Sequence, residues 1–259
     1  MDKIRSTDGT LIAYERSGTG QPLMLVHAAL CDHTFWQAVI PAFAKSFTVY
    51  AIDRRGRGGS GPFQDNHTIE QDYRDIAAVV ESIGSSVCLL GHSSGARYAL
   101  HAALLTPHVR KLVLYDPPPL SAPPPAILNQ LQAYALTDDR EGLLTTFLQD
   151  IVGESADAIA QIRQAPFWQM WLQNAQTIPF EVRSFGDYVF NPAQFKAFNI
   201  PTLLLLGSES PEVIKRQVAT IHQDLPQSQV VVLNGQGHGA MHTAPDLFVN
   251  EVVGFLTSA

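Results

Sequence analysis

The chain reads Leu89-Leu90-Gly91-His92-Ser93-Ser94-Gly95, an apolar run broken by a glycine, two serines and a second glycine. Val87 to Leu90 has the composition of a buried strand, and Ala96 to Leu105 is rich in good helix formers. A G-x-S-x-G pattern at a strand-to-helix junction predicts a nucleophile elbow. The backbone there turns so sharply that only small residues fit two positions to either side, and the serine hydroxyl stands clear of the sheet. A Gly/Ser-rich turn that merely joins a strand to a helix would look the same over five residues. The weight therefore falls on what else the chain carries, and in what order.

Outward from this junction, short apolar runs alternate with amphipathic stretches. Leu23 to Val26, Thr48 to Ile52, Leu112 to Tyr115, Thr202 to Leu206 and Val230 to Leu233 read as further buried strands, and Thr10 to Arg16 alternates like an antiparallel edge strand. Ile69, Tyr73, Ile76, Val80 and Ile83 repeat at helical spacing, so residues 69–83 form a helix that Gly84 ends; Pro245 opens a last one. The expected fold class is α/β, a mostly parallel central sheet flanked by helices. Between Tyr115 and Thr202 the alternation breaks. Pro117–Pro119 and Pro123–Pro125 bracket a stiff connection, followed by helical patterns near 126–134, 138–152, 155–164 and 166–176. This aromatic-rich stretch predicts a helical cap, residues 117–198, inserted into a core made of 1–116 and 199–259.

Composition narrows the function class. Of 259 residues 46% are hydrophobic and 16% charged, which suits a sizeable buried core and excludes a disordered chain. Net charge is −7 and no basic run stands out, so nucleic acid is not an expected partner. Cys31 and Cys88 make no disulfide framework. No segment has signal-peptide or membrane-spanning character, and a soluble cytoplasmic protein with a small-molecule substrate, no membrane association and no metal or other cofactor is expected.

A serine hydroxyl needs a base. His238, in Gly235-Gln236-Gly237-His238-Gly239 after the last expected strand, is the candidate, with His242 its rival. His33, His67, His108 and His222 read as surface residues, and His92 is expected to point away from the partner of Ser93. The backbone N–H of Ser94 and that of Ala29, in the loop Val26-His27-Ala28-Ala29, are the expected oxyanion donors, with His27 bracing its loop. Phe167, Trp168 and Trp171 are candidates for the substrate pocket.

In this order, His27-Ala28-Ala29, Asp53-Arg54-Arg55-Gly56-Arg57-Gly58-Gly59-Ser60, Gly91-His92-Ser93-Ser94-Gly95 and Gly237-His238 resemble the α/β-hydrolase superfamily, over residues 9–116 and 199–259. The resemblance implies the α/β-hydrolase fold, a serine nucleophile, and a structural turn at Asp53 and Arg55. It implies cleavage of a small, largely apolar ester or lactone through an acyl-enzyme. Carbon–carbon bond hydrolysis or perhydrolysis by the same residues stays open, as does a ligand receptor or cyclase on the same fold. Two positions depart from the family. Ala28 stands where relatives usually have glycine. Ser210 stands where their acid usually is, in Gly207-Ser208-Glu209-Ser210-Pro211. That leaves Asp116, at a strand end, and Glu209, one position out of register, as candidates to orient His238.

Overall fold

The computed structural model describes all of the chain except Ser85, Leu120, Val189 and Ala259, with Asp187 described in its backbone only. Leu120 and Val189 of the expected cap, and Ser85 and Ala259 of the expected core, lie outside the described residues.

Eight strands form one sheet: β1 (Asp2–Arg5), β2 (Leu11–Ser17), β3 (Gln21–Val26), β4 (Phe47–Ile52), β5 (Val87–His92), β6 (Val109–Tyr115), β7 (Thr202–Gly207) and β8 (Ser228–Leu233). Their order is β1-β2-β4-β3-β5-β6-β7-β8, with β2 antiparallel to both of its neighbours and every other neighbouring pair parallel. The edge expected at residues 10–16 is one strand further out. Asp2-Lys3-Ile4-Arg5 pairs with β2 from Asp2↔Tyr14 to Arg5↔Leu11 and forms the true edge.

The central strands are apolar throughout because both faces are covered. Met24, Val26, Leu89, Leu112, Leu114 and Leu204 face one cluster, which includes the helix Ile69–Ile83 and most of the inserted helices. Leu23, Leu25, Leu90, Val113, Leu203 and Leu205 face the other, closed by Trp36, Phe43 and the C-terminal helix Pro245–Thr257. Each such fully buried side chain stabilises the fold by roughly 1.5–3 kcal/mol.

Between β6 and β7 the chain runs as helices Pro125–Leu136, Arg140–Thr146, Ala156–Ile162, Trp168–Asn174 and Ile178–Ser184. Pro125, expected in the stiff connection, is instead the first residue of its helix, where its missing N–H costs nothing. The chain leaves β3 for β4 on one side and then returns to β5 on the other. In open parallel sheets the crevice at the carboxyl ends of such a switch point is where ligands bind. Here it lies between the loop after β3 and Ser93.

Candidate active site

Ser93 follows β5 directly and precedes the helix Ser94–Ala102. Its N–H donates to the Tyr115 carbonyl at 2.9 Å, and its backbone then turns to φ 55°, ψ −127°. The two glycines are steric requirements. A Cβ on Gly95 would overlap the carbonyls of Val26 and His27, and one on Gly91 would come within 2.6 Å of the Ala96 Cα. Leu30 (φ 62°) and Asp116 (φ 46°) are also left-handed. Three of the four non-glycine residues with positive φ among those described therefore ring one location. Such strain costs of order 1–3 kcal/mol per residue and persists where surrounding structure enforces it, as at active sites.

His238, half-buried, lies in the loop after β8, and its Nδ1–H donates to Asp116 Oδ2 at 3.0 Å. Its Nε2 hydrogen-bonds to none of the described residues, so this nitrogen is available for proton exchange. Asp116 is fully buried at the end of β6; its Oδ1 accepts from Gly207 N at 3.1 Å and its Oδ2 from Ser210 Oγ at 2.5 Å. Glu209 is exposed, and only its backbone N–H reaches the histidine loop, at the Gln236 carbonyl. Of the two carboxylates singled out from sequence, the structure brings Asp116 to the imidazole. Two further groups fix the loop. The Tyr115 hydroxyl donates to the Gly237 carbonyl and accepts from Ala240 N at 3.1 Å. His92 Nε2–H donates to the His238 carbonyl at 2.8 Å, the two rings 4.5 Å apart. This corrects the expected orientation of His92: the last residue of β5 keeps the strand alternation of Cys88 and Leu90 and so faces the histidine loop. Burial, with the His238 charge second, holds His92 well below the usual histidine range, so it is neutral. His242 packs edge-on against Phe35 at 4.7 Å.

Across the crevice, His27 is buried and braces its loop as expected. Its Nδ1–H donates to the Ala28 carbonyl at 2.8 Å, and its Nε2 accepts the Arg54 N–H at 3.0 Å. Ala29 is half-buried and Ser94 buried; the Ser94 amide, first in its helix, has no intrahelical acceptor. Arg55 and Asp53 hold turns, as expected of them: Arg55 forms a bidentate pair with Asp75, and Asp53 accepts from the backbone of Gly59 and His33. His67, expected at the surface, is buried against Asp72 at 2.8 Å. Asp32, His33 and Asp53 are close enough to share a cation, but Asp32 already accepts from Thr34 and Asp53 from His33 Nδ1, the arrangement of a locked turn.

The inserted helices close the crevice from above. Asn174 Nδ2 donates to the Leu30 carbonyl at 3.1 Å, which lays the helix Trp168–Asn174 across the loop after β3. Trp168 is buried in the cluster that covers this face of the sheet, with the Arg163 guanidinium 5.6 Å from its ring centroid. Trp171 packs against both core clusters and borders the Cys31 thiol, with Phe167 4.6 Å from it. Glu181, on the helix Ile178–Ser184, has no counterpart in the sequence reading. It is buried, and Arg54, Ser94 and Tyr98 all donate to its Oε1. A single carboxylate inside Ile178-Pro179-Phe180-Glu181-Val182 is the one sequence signal that could have found it, since a carboxylate among apolar residues is seldom buried unless paired.

A family model described as "Alpha/beta hydrolase family" matches residues 23–251. The chain belongs to the α/β-hydrolase family. It is 33% identical to an alpha/beta hydrolase from Sphaerobacter thermophilus, with a TM-score of 0.89 over 99% of this chain and 100% of that one. It is 30% identical to N-formylmaleamate deformylase of Pseudomonas putida, over 85% of this chain and 83% of that protein. A non-heme haloperoxidase of Rhodococcus erythropolis is 27% identical over the full length of both. These relatives make this α/β-hydrolase family member a hydrolase in its general chemistry and leave the bond it cleaves to the site. Among the described residues no helix is long and apolar enough to cross a membrane.

Proposed function

We propose that this protein is a serine hydrolase that cleaves a small, largely apolar carboxylic ester or lactone through an acyl-enzyme. The observation that carries the reading is the His238–Asp116 hydrogen bond at 3.0 Å, next to a serine held at φ 55° on a strand-to-helix turn. In this reading His238 Nε2 takes the proton of Ser93 Oγ as the oxygen attacks the carbonyl carbon. The N–H groups of Ala29 and Ser94 bind the tetrahedral oxyanion; each such donor is worth about 100- to 1,000-fold in rate. Collapse of the intermediate breaks the bond to the leaving group, which departs with the proton from His238. Water, deprotonated by the same nitrogen, then releases the acid and regenerates Ser93. Asp116 keeps the imidazole in the Nδ1–H tautomer and stabilises the imidazolium without taking its proton.

The surroundings favour an apolar substrate. Phe35 stacks on His92 at 5.3 Å, and Trp171 and Met170 come down from the inserted helix onto the loop after β3. Pre-steady-state release of p-nitrophenol from p-nitrophenyl acetate and butyrate tests the reading. A burst equal to the enzyme concentration, lost in Ser93→Ala, is expected together with single labelling of Ser93 by a fluorophosphonate. Turnover of an N-formyl amide without any ester turnover would move the leaving group from alcohol to amine. Labelling at another residue would overturn the assignment of Ser93.

A further inference from the structure

Arg54 touches both sides of the crevice. Its backbone N–H holds His27, and His27 in turn holds the Ala28 carbonyl next to Ala29. Its guanidinium donates to Ser94 Oγ at 3.3 Å and to Glu181 Oε1 at 2.9 Å. Ser94 Oγ donates onward to the same Glu181 oxygen at 3.0 Å, and the second carboxylate oxygen accepts from Arg57. Arg54, Arg57 and Glu181 are each no more than 2% exposed. A buried carboxylate is ordinarily pushed up by desolvation. Here the two guanidinium charges outweigh that cost and hold Glu181 down at about 2, so it is ionised at any working pH. The whole assembly depends on the inserted segment, because Glu181 belongs to the helix Ile178–Ser184 whereas Arg54 and Ser94 belong to the core.

We propose that Arg54 and Glu181 form a buried strut that sets the spacing of the Ala29 and Ser94 amides, so that the oxyanion site is completed only when the helix Ile178–Ser184 is docked. Both are positioning residues, acting through His27 on one side and through Ser94 on the other. The inference rests on the reading of those two amides as oxyanion donors. It follows from a general requirement: donors aimed at a developing charge act only if their geometry is fixed before the charge appears, and a displacement of about 1 Å can cost about 100-fold. A plain structural ion pair would anchor the helix equally well and leave the chemistry of a folded molecule untouched.

Ser94→Ala separates the two. It removes the hydroxyl that joins the strut to the elbow while leaving the Ser94 amide and both arginine–glutamate pairs in place. With p-nitrophenyl acetate, Ser94→Ala is expected to lower kcat about tenfold with KM within about twofold, since positioning acts on the transition state. The affinity for phenylboronic acid, a tetrahedral mimic bonded to Ser93, should weaken by the same factor as kcat/KM. Glu181→Gln should lower both by about 100-fold, and the double variant should be no worse than Glu181→Gln alone, because both changes cut one path. Should Glu181→Gln fail to fold, Ser94→Ala decides alone. Unchanged kcat and boronate affinity in Ser94→Ala, with wild-type protein still labelled at Ser93 by a fluorophosphonate, would overturn the strut and leave the hydrolase reading standing. Absence of Ser93 labelling in the wild type would remove both.

Discussion

Ser210 Oγ donates to Asp116 Oδ2 across 2.5 Å, and that same oxygen receives the His238 Nδ1–H at 3.0 Å. Residue 210 is where the resemblance to the family places its acid; in the proposed reading Asp116, on the neighbouring strand end, takes that role and Ser210 serves as its hydrogen-bond donor. In the proposed mechanism Asp116→Asn presents an amide to Nδ1, favours the wrong tautomer and should lower kcat by about 10,000-fold. Ser210→Ala removes one donor and should cost about tenfold or less. Because the Ser210 oxygen already lies beside the acceptor position, the double variant Asp116→Asn/Ser210→Asp should recover at least about tenfold over Asp116→Asn alone. Steady-state ester kinetics on the three variants checks the series; no recovery would mean that a side chain from position 210 cannot reach His238.

Tyr115 and His92 hold the histidine loop by its backbone. Tyr115→Phe removes the donor to Gly237 O and the acceptor for Ala240 N, leaving one buried and one part-buried backbone group unpaired. At about 1–3 kcal/mol for each unsatisfied group, thermal stability should fall measurably. Looser presentation of the imidazole should reduce kcat roughly tenfold with little change in KM. A variant that loses stability but keeps kcat would show that the loop is positioned by Asp116 alone.

The fold was legible because parallel strands covered on both faces are continuous apolar runs, and Val87 to Leu90 or Thr202 to Leu206 can be little else. β1 was not, since Asp2-Lys3-Ile4-Arg5 has a single apolar residue and is a strand only through its pairing with β2. The elbow is a local motif and reads locally. Its partners are contacts across long stretches of chain: Asp116 with His238, Ser210 with Asp116, Glu181 with Ser94. Sequence spacing carries no record of such contacts, which is why it left Asp116 and Glu209 as alternatives. The helix Ile178–Ser184 escaped for a different reason: at seven residues with Pro179 near its start, it is too short for a helical period to emerge.

Acid should unfold this protein early. Burial is the first cause that lowers His27, His92 and His101 below the ordinary 6.5, reinforced by the charges of Arg54, His238 and Arg97 respectively, and His101 falls to about 3. All three are therefore neutral when folded and protonate at about 6.5 once unfolded. Groups with depressed folded values stabilise above the unfolded value and lose that contribution as pH falls. Below pH 6.5 each should remove about 1.4 kcal/mol of stability per pH unit, down to about pH 3 for His101. Melting temperature should fall between pH 7 and 5, before carboxylates titrate, with at least about three protons taken up on unfolding near pH 5, since burial lowers His242 as well. A melting temperature that stays flat to pH 5 would refute this.

The three aromatic residues singled out from sequence are not equivalent in place, and they should not be equivalent in effect. Trp168 is 5% exposed within the apolar cluster, so Trp168→Ala should cost about 3–5 kcal/mol and leave relative rates across ester chain lengths unchanged. Trp171 is half-buried on the helix that crosses the loop after β3, one turn from the Asn174 contact to Leu30. Trp171→Ala should shift the ratio of butyrate to acetate turnover by about threefold or more, because removing the indole opens space beside the acyl group of the proposed intermediate. Phe167 is half-buried with its ring 4.6 Å from that of Trp171, so it acts by holding the indole in place, and Phe167→Ala should move the ratio less. Rates with p-nitrophenyl esters of increasing chain length, each set beside the variant's melting temperature, distinguish wall from core. If Trp171→Ala lowers only the melting temperature, the indole is packing and the acyl pocket lies elsewhere along the crevice.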